Sequence, residues 1–169
     1  SGIKDGKIGV YEVGHQMAPR INASGRLTHA LDSLRLLCTK DADRADLLAQ
    51  NLYSINRERQ LILEEMTIHA KGLSSEYTGK KLIFLSYESY NQGVIGLVAG
   101  KLVEEFYRPA IVISKGEKYS KASARSIVGF NIVEAIRSCS ELLVDVGGHP
   151  MAAGFTIETS KIELLEKKL

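Results

Sequence analysis

Three short segments of the sequence carry side chains that could bind a phosphate group or move a proton. The first contains Gly147, Gly148 and His149, within residues 147–154, GGHPMAAG. Paired glycines allow backbone N–H groups to point at an anion with no Cβ atom in the way, and a histidine beside them supplies a donor or a proton. Glycines also mark ordinary turns, and a single histidine is often structural, so this segment alone leaves both interpretations open.

The second segment is residues 123–126, SARS. If it forms a strand, the side chains of Ser123 and Arg125 project from the same face, because strand side chains alternate. A hydroxyl beside a guanidinium is well suited to holding a phosphate. The alternative is an exposed strand face with a single ion pair.

The third segment, residues 18–26, contains Arg20, Asn22 and Arg26 beside a proline and a glycine. We expect a rigid loop here, whose two arginines and amide could grip a phosphate. The alternative is an ordinary turn that leads into a helix.

The sequence offers no metal-ligand pattern and no hydrolase triad. It has no Asp-His pair, no His-x-His, no Cys-x-x-Cys and no run of spaced carboxylates. Asp41, Asp43 and Asp46 stand at the start of a predicted helix, where the helix dipole favours negative charge, so we interpret them as capping charges. Ser123 has no His and Asp partners in a triad arrangement.

Helical periodicity dominates the first half of the chain. A short strand at residues 8–11 is expected before the loop, and residues 28–75 are predicted to be helical throughout. The longer of two helices there carries a narrow apolar stripe formed by Leu48, Leu52, Ile55, Ile62, Met66 and His69. This pattern favours a connecting helix on a domain's flank over an independent coiled coil, with Arg57 and Arg59 in solvent.

The second half alternates between strands and helices. The apolar pattern predicts a strand at residues 82–85, a helix at 93–106 and a second strand at 110–113. Together they form a βαβ unit with parallel strands. Further strands are expected at 118–126 and 153–157, with helices beginning at Asn131 and Ser160. The fold class is therefore predicted as α/β, with a mixed, mostly parallel sheet flanked by helices and preceded by a long linker helix.

Composition excludes several classes of protein without selecting a function. The 169 residues are 44% hydrophobic and 25% charged, with a net charge of +2, as in soluble globular proteins. No apolar run approaches the roughly 20 residues of a membrane span, and no signal peptide is expected at the start. Cys38 and Cys139 lie far apart in sequence, which suits a reducing cytosol, so we expect a cytoplasmic protein without a membrane.

Taken in order, five segments resemble the C-terminal half of the RecJ family, bacterial single-strand-specific 5′→3′ DNA exonucleases of the DHH phosphoesterase superfamily. The segments are 18–27 (APRINASGRL), 56–60 (NRERQ), 93–100 (GVIGLVAG), 123–126 (SARS) and 147–154 (GGHPMAAG). Each is weak alone, but their order and intervals make the match specific. The resemblance divides the chain into a junction segment (1–27), a helical linker (28–78) and a DHH-associated α/β domain (79–169), truncated at its C-terminus.

The resemblance also implies roles for individual residues. Gly147, Gly148 and His149 would face the metal site across a cleft, with His149 catalytic, and Ser123 and Arg125 would hold phosphates at the 5′ end. Arg20, Asn22 and Arg26 would lie in the loop near the lobe junction.

The two Mn²⁺ or Mg²⁺ ions of the family belong to an N-terminal Asp-His-His lobe that this sequence lacks, so the chain resembles an excised fragment that is inactive by itself. Single-stranded DNA is the implied partner, and a helicase and a single-strand-binding protein are candidate partners of the whole enzyme.

Two other functions stay open at this point. One is a phosphodiesterase of the same superfamily that acts on oligoribonucleotides or cyclic dinucleotides, since those enzymes also carry a glycine-histidine motif. The other is a non-catalytic nucleic-acid-binding module. One departure from the family pattern is Asn91-Gln92, where the family usually has a histidine before the 93–100 segment.

Overall fold

The computed structural model describes residues 8–74, 77 and 79–169. The helices are α1 (Ala18–Leu27), α2 (Leu31–Cys38), α3 (Ala42–Ser74), α4 (Ile95–Phe106), α5 (Ile132–Arg137) and α6 (Ile162–Lys168), and the strands are β1 (Ile83–Tyr87), β2 (Ala110–Ser114), β3 (Tyr119–Arg125), β4 (Leu143–His149) and β5 (Ala152–Glu158). Two compact units divide between Ile62 and Leu63, inside α3.

Residues 18–26 belong to helix α1, which corrects the expectation of a loop. Pro19 lies in the first turn of this helix, directly after a segment that is itself helical. The chain is already helical at Val10 and Tyr11, and a π-helical segment, Glu12–Met17, precedes α1. The predicted strand at residues 8–11 is therefore wrong. Proline and glycine suggested a loop, but their positions are compatible with a helix.

Helices α1 and α2 contact each other through buried hydroxyl groups. The Ser24 and Ser33 hydroxyls lie 2.7 Å apart, and Ser33 also donates a hydrogen bond to the Ile21 carbonyl at 2.6 Å. Ser24 is fully buried. Because each hydroxyl has a partner, this small interface satisfies its polar groups without an extensive apolar core.

The long helix α3 begins after a side-chain cap, as predicted. The Asp41 carboxylate accepts a hydrogen bond from the Arg44 N–H at 3.1 Å, and the Thr39 hydroxyl accepts one from the Asp41 N–H at 3.2 Å. The predicted apolar stripe is the inward face of this helix, with Leu52 1% and Met66 7% exposed. Residues 75, 76 and 78, at the end of the predicted linker, lie outside the described residues.

The second unit contains a five-stranded sheet in the order β1-β2-β3-β5-β4. Strands β1 and β2 are parallel and joined through α4, which confirms the βαβ unit, the mixed sheet and the α/β class. The other three pairs are antiparallel, which corrects the expectation of a mostly parallel sheet. Short turns after β2 and β4 leave no room for a crossover, so these strands must pair with their neighbours in antiparallel fashion.

Strand β4 (Leu143–His149) was not predicted. It carries Gly147 and Gly148, residues that are depleted in strands, and a register irregularity follows Leu143. Pro150 and Met151 then connect β4 to β5 as a two-residue turn. The segment expected to be an anion-binding turn is thus the end of one strand, a hairpin turn and the start of the next.

Different helices pack against the two faces of the sheet. Helices α5 and α6 close one face over a core that includes Phe84, Ile111, Ile113, Ile132, Ile136, Phe155, Ile157 and Leu165. Helix α5 begins with the predicted cap, since the Asn131 side chain accepts a hydrogen bond from the Glu134 N–H. Helix α4 lies on the other face, against β2 and β3. The outward surface of β5 and β4 remains exposed at several positions. This exposed surface carries the candidate functional site described below.

Within the described residues, no helix combines the length and apolar character that a membrane span requires. Cys38 is exposed and Cys139 is buried, and both are free thiols.

Candidate functional site

Nine residues on three adjacent strands form a surface that we call the open patch. Its rows across β3, β5 and β4 are Lys121–Thr156–Asp145, Ser123–Gly154–Gly147 and Arg125–Ala152–His149. Directly opposed residues of antiparallel strands project from the same face of a sheet. The structure therefore brings Ser123, Arg125, Gly147 and His149 to one surface, although β3 and β4 are separated in sequence by a helix and its connections.

The hydroxyl and the guanidinium at one side of the open patch are in direct contact. Arg125 Nη1 donates a hydrogen bond to Ser123 Oγ at 3.1 Å and another to the Ala124 carbonyl at 2.8 Å. These bonds fold the guanidinium back along β3, and both side chains are half-buried. A guanidinium held by its neighbours loses little further freedom when it binds an anion, so the pair is preorganised for a phosphate.

Helix α4 reaches this pair through a glycine that sequence reasoning did not single out as functional. A Cβ atom at Gly96 would lie 2.9 Å from Ser123 Oγ and 3.1 Å from an Arg125 guanidinium nitrogen. Glycine therefore lets the first turn of α4 approach the pair, and the positive end of the helix dipole adds to the potential there. An isolated glycine within a helical pattern was the available signal.

The centre of the open patch is bare backbone. A Cβ atom at Gly147 would meet nothing within 4 Å, and one at Gly154 would meet only the Ala122 carbonyl oxygen, at 3.6 Å. Neighbouring atoms leave room for a side chain at both positions, so packing does not require glycine there. Both residues are exposed. Space is thus left where a ligand could approach the main chain closely.

Gly148 differs from Gly147, because the fold itself requires a glycine at this position. Its φ is +145°, and a Cβ atom would overlap the Ala152 carbonyl oxygen and lie 2.6 Å from Ala153 Cα. This conformation is available to glycine and strained for other residues. Gly148 shapes the strand that carries His149, whose exposed side chain lies two strands from Arg125, or about 10 Å.

The two adjacent glycines should respond differently to alanine. Gly148→Ala is expected to lower the free energy of unfolding of this chain by about 2 kcal/mol or more, because the new Cβ atom meets backbone and the φ angle is strained. Gly147→Ala is the matched control and should change that free energy by no more than about 0.5 kcal/mol. Urea denaturation followed by circular dichroism measures both, and equal losses would contradict this assignment.

The remaining row of the open patch is polar and connected. The Thr156 hydroxyl donates to Asp145 Oδ2 at 2.7 Å and accepts from Lys121 Nζ at 2.5 Å, while Lys121 Nζ lies 3.9 Å from Asp145 Oδ2. Thr156 is 5% exposed, whereas the side chains of Lys121 and Asp145 are 53% and 62% exposed.

The arginines of the third sequence segment lie in the first unit, on α1. Arg20 is half-buried with its guanidinium carbon 5.8 Å from the centre of the Tyr53 ring, and Asn22 and Arg26 are exposed. They lie on a helix rather than on the expected loop. Their role in binding phosphate stays a prediction.

A further arginine of the first unit, Arg59, was expected in solvent but is partly buried. Its Nε and Nη2 groups donate to the Asn56 side-chain oxygen at 3.3 and 3.1 Å, and Asn56 is 6% exposed. Burial lowers the pKa of Arg59, and the positive charge of Arg26 lowers it further. Two guanidinium groups that repel each other make this part of the unit attractive to anions. Arg57 is exposed, as predicted.

Asn91 stands where a histidine was expected from the resemblance, and it has a local structural task. Its side-chain oxygen accepts a hydrogen bond from the Gly93 N–H at 2.9 Å, and its carbonyl accepts bonds from the Val94 and Ile95 N–H groups. Asn91 thereby positions the start of α4, which borders the open patch.

Metal binding is not supported by the side chains at this site. In the part of the chain that the structure describes, no three His, Cys, Asp or Glu residues come together as a metal-binding group would. On the open patch, the Asp145 carboxylate is already bonded to Thr156 and faces Lys121. The donor set suits an anion rather than a divalent cation.

Comparison with known proteins agrees with the resemblance seen in the sequence. Residues 79–169 match the family model described as the DHHA1 domain. Over 172 aligned residues the chain is 40% identical to the single-stranded-DNA-specific exonuclease RecJ of Bacillus subtilis (strain 168), covering 100% of this chain and 22% of that protein. The chain thus spans about a fifth of the length of that relative.

Solved structures show the same fold. RecJ of Thermus thermophilus in complex with Mn²⁺ superposes with a TM-score of 0.85 at 36% identity, over 93% of this chain and 23% of that chain. The same protein in complex with Mg²⁺ gives a TM-score of 0.81 at 34% identity, over 93% of this chain and 24% of that chain. By the match of residues 79–169 and by this shared fold, the chain belongs to the DHHA1 domain family and is similar to one part of RecJ exonucleases.

Proposed function

We propose that this chain is the phosphate-binding part of a RecJ-like exonuclease that hydrolyses single-stranded DNA from its 5′ end. Residues 1–27 would form the junction with the rest of the enzyme, residues 28–78 the helical linker and residues 79–169 the DHH-associated domain. The enzyme would work in the cytoplasm, with single-stranded DNA as substrate and with a helicase and a single-strand-binding protein as partners.

The observation that carries this proposal is the convergence of donors on the open patch. Ser123 and Arg125 would bind the oxygens of the 5′-terminal phosphate through a hydroxyl and a charged, planar fork. The bare backbone at Gly147 and Gly154 would let the strand lie close to the sheet. Contacts of this kind read the phosphate and the shape of the strand but not its bases.

His149 would act on the scissile phosphodiester rather than on the terminal phosphate. It lies in the same row as Arg125 but about 10 Å away, which places the two groups on neighbouring positions of a bound strand. As a donor, His149 would stabilise negative charge that develops on the phosphoryl oxygens as the bond breaks. Mn²⁺ or Mg²⁺, held by parts of the enzyme outside this chain, would supply the activated water. Arg20, Asn22 and Arg26 would contribute charge and an amide at the junction.

The proposal is tested first with this chain alone. It should bind a short 5′-phosphorylated single-stranded oligonucleotide more tightly than the same oligonucleotide with a 5′-hydroxyl, and bind a blunt duplex more weakly than either. With Mn²⁺ added, it should release no nucleotides, because the described residues hold no metal-ligand group. Fluorescence anisotropy measures binding, and gel analysis of a labelled strand measures cleavage.

Three outcomes would contradict the proposal. Equal affinity for the phosphorylated and hydroxyl ends would remove the role of the Ser123–Arg125 pair. Degradation of the strand by the pure chain would show that its own residues suffice for hydrolysis. A strong preference for dinucleotides over longer strands would instead favour a phosphodiesterase for short oligonucleotides.

A further inference from the structure

The hairpin turn formed by Pro150 and Met151 is bonded to a neighbouring loop, residues 126–131, which we call the clamp loop. At the start of this loop the Ser126 N–H donates a hydrogen bond to the Met151 carbonyl at 3.0 Å. Directly after the loop, the Ile132 N–H donates one to the Pro150 carbonyl at 3.1 Å. Both carbonyl groups of the turn are therefore bonded by residues from outside the hairpin.

The Ser126 side chain joins the two ends of the clamp loop. Its hydroxyl donates a hydrogen bond to the Phe130 carbonyl at 2.7 Å, and the residue is only 4% exposed. A longer bond, from the Phe130 N–H to the Ile127 carbonyl, measures 3.3 Å. Residues 128–130 are exposed, so apolar packing contributes little to the shape of the loop. The spacing of its two bonds to the turn therefore depends on the Ser126 hydroxyl.

The clamp loop and the turn each directly follow a residue of the same row of the open patch. Arg125 immediately precedes the loop, and His149 immediately precedes the turn. Both residues oppose Ala152, from the strands on either side of it. The bonds between the loop and the turn therefore lie just beyond this row, where they hold the backbones of Arg125 and His149 at a fixed separation.

His149 depends on this support more than Arg125 does. The Arg125 guanidinium is bonded to its neighbours on β3, whereas His149 is exposed on β4, an edge strand of the sheet. Exposed elements with few buried contacts open more readily than central strands. The imidazole is thus positioned by the backbone on its two sides, which is Gly148, with its φ of +145°, and the turn that the clamp loop bonds.

We propose that Ser126 is a positioning residue, whose hydroxyl closes the clamp loop and thereby holds His149 at the distance from Arg125 that the reaction requires. This inference rests on the proposed function, because it takes His149 to act on the scissile phosphodiester while Arg125 holds the terminal phosphate. Ser126 acts through the backbone and not on the substrate. Misplacing a catalytic group by about 1 Å costs up to about 100-fold in rate, so a remote hydroxyl can control turnover.

A double-mutant cycle in the complete exonuclease tests this inference, with a 5′-phosphorylated single strand as substrate and Mn²⁺ at saturation. Ser126→Ala should lower kcat about ten-fold and change KM by no more than about two-fold, because His149 loses its placement while Arg125 keeps its own bonds. In a His149→Ala background, the same substitution should change kcat by no more than about two-fold, since no imidazole remains to be misplaced. Steady-state kinetics of the four proteins measure both effects.

Ser138→Ala is the matched control. It also removes a serine hydroxyl that donates to a main-chain carbonyl, that of Ala135 at 2.7 Å, but at the exposed end of α5. Its kcat and KM should equal those of the parent enzyme. Ser126→Cys keeps a weaker donor and should give a kcat between those of the parent enzyme and Ser126→Ala. Thermal unfolding checks the fold of each variant, and Ser126→Cys takes the place of Ser126→Ala in the cycle if the alanine variant does not fold.

The outcomes separate this inference from the proposed function. If Ser126→Ala lowers kcat equally in both backgrounds, its effect does not pass through His149 and the inference is wrong. An unchanged kcat in a folded Ser126→Ala variant, or a rise in KM alone, also refutes it. In these cases a large loss of kcat in His149→Ala would still support the proposed function. If His149→Ala itself leaves kcat unchanged, the proposed role of His149 fails and this inference fails with it.

Discussion

His149→Ala, introduced into the complete exonuclease that contains this chain, is expected to lower kcat about 100-fold and to change KM little. A donor that strengthens its contact only as charge develops on the phosphoryl oxygens stabilises the transition state more than the bound substrate. Loss of one such donor typically costs two to three orders of magnitude in turnover. The side chain is exposed at the end of β4, so its removal should not disturb the core.

Steady-state kinetics on a 5′-phosphorylated single strand, with Mn²⁺ at saturation, measure this effect. His149→Asn keeps a donor near the same position and should restore part of kcat. His29→Ala removes an exposed histidine from the first unit and should behave like the parent enzyme. A rise in KM with kcat unchanged would identify His149 as a residue that binds the strand in its ground state.

Arg125→Ala in the same enzyme is expected to weaken binding of 5′-phosphorylated single-stranded DNA about ten-fold or more. A charged hydrogen bond to phosphate contributes about 1.5–3 kcal/mol, and it disappears with the guanidinium. The slope of log K against log salt concentration should become less steep by about 0.7, as expected for one lost contact to a single strand. With a 5′-hydroxyl strand the loss should be smaller.

Arg125→Lys separates charge from geometry. A lysine keeps the charge but not the planar fork, so it should recover the salt dependence more fully than the affinity. Arg137→Ala removes an exposed arginine at the end of α5 and provides the control. Because Arg125 also bonds Ser123 and the Ala124 carbonyl, thermal unfolding of each variant should be recorded alongside. Unchanged affinity and salt slope in a folded Arg125→Ala variant would exclude a contact with phosphate.

Periodicity predicted the elements whose burial depends on local pattern. The apolar stripe of α3, the apolar runs of β1 and β2 and the βαβ connection through α4 all appear where they were expected. Helix α3 has one apolar face, whereas consecutive residues of β1 and β2 are buried on both faces of the sheet. In each case burial of apolar surface is the main stabilising contribution.

The errors arose where local propensity and tertiary context disagree. Pro19 and Gly25 suggested a loop in the 18–26 segment, yet both fit within or near the end of a helix. Gly147 and Gly148 suggested a turn, yet pairing with β5 holds them in a strand. Weak local preferences of about 1 kcal/mol per residue are readily overridden by pairing and packing with distant segments.

Residue types alone indicated that the site binds phosphate, but they did not identify all of the residues that form it. Ser123 and Arg125 were identified together because strand alternation is a local rule. Sequence reasoning did not identify four other residues of the site, because their relation to that pair depends on the strand order and on where α4 crosses the sheet. These residues are Gly96, Lys121, Gly154 and Thr156. Arg59 was likewise expected in solvent, since its burial depends on neighbouring helices.

Residue order along the chain was enough to show a resemblance to the family, and local pattern and side-chain chemistry predicted the α/β class and the donor types suited to a phosphate. The placement of β4 beside β5, and with it the meeting of His149 and Arg125 on one exposed face, depended on the folded chain. Strand pairing joins residues that are distant in sequence, and its register follows from the packing of the whole sheet against its helices.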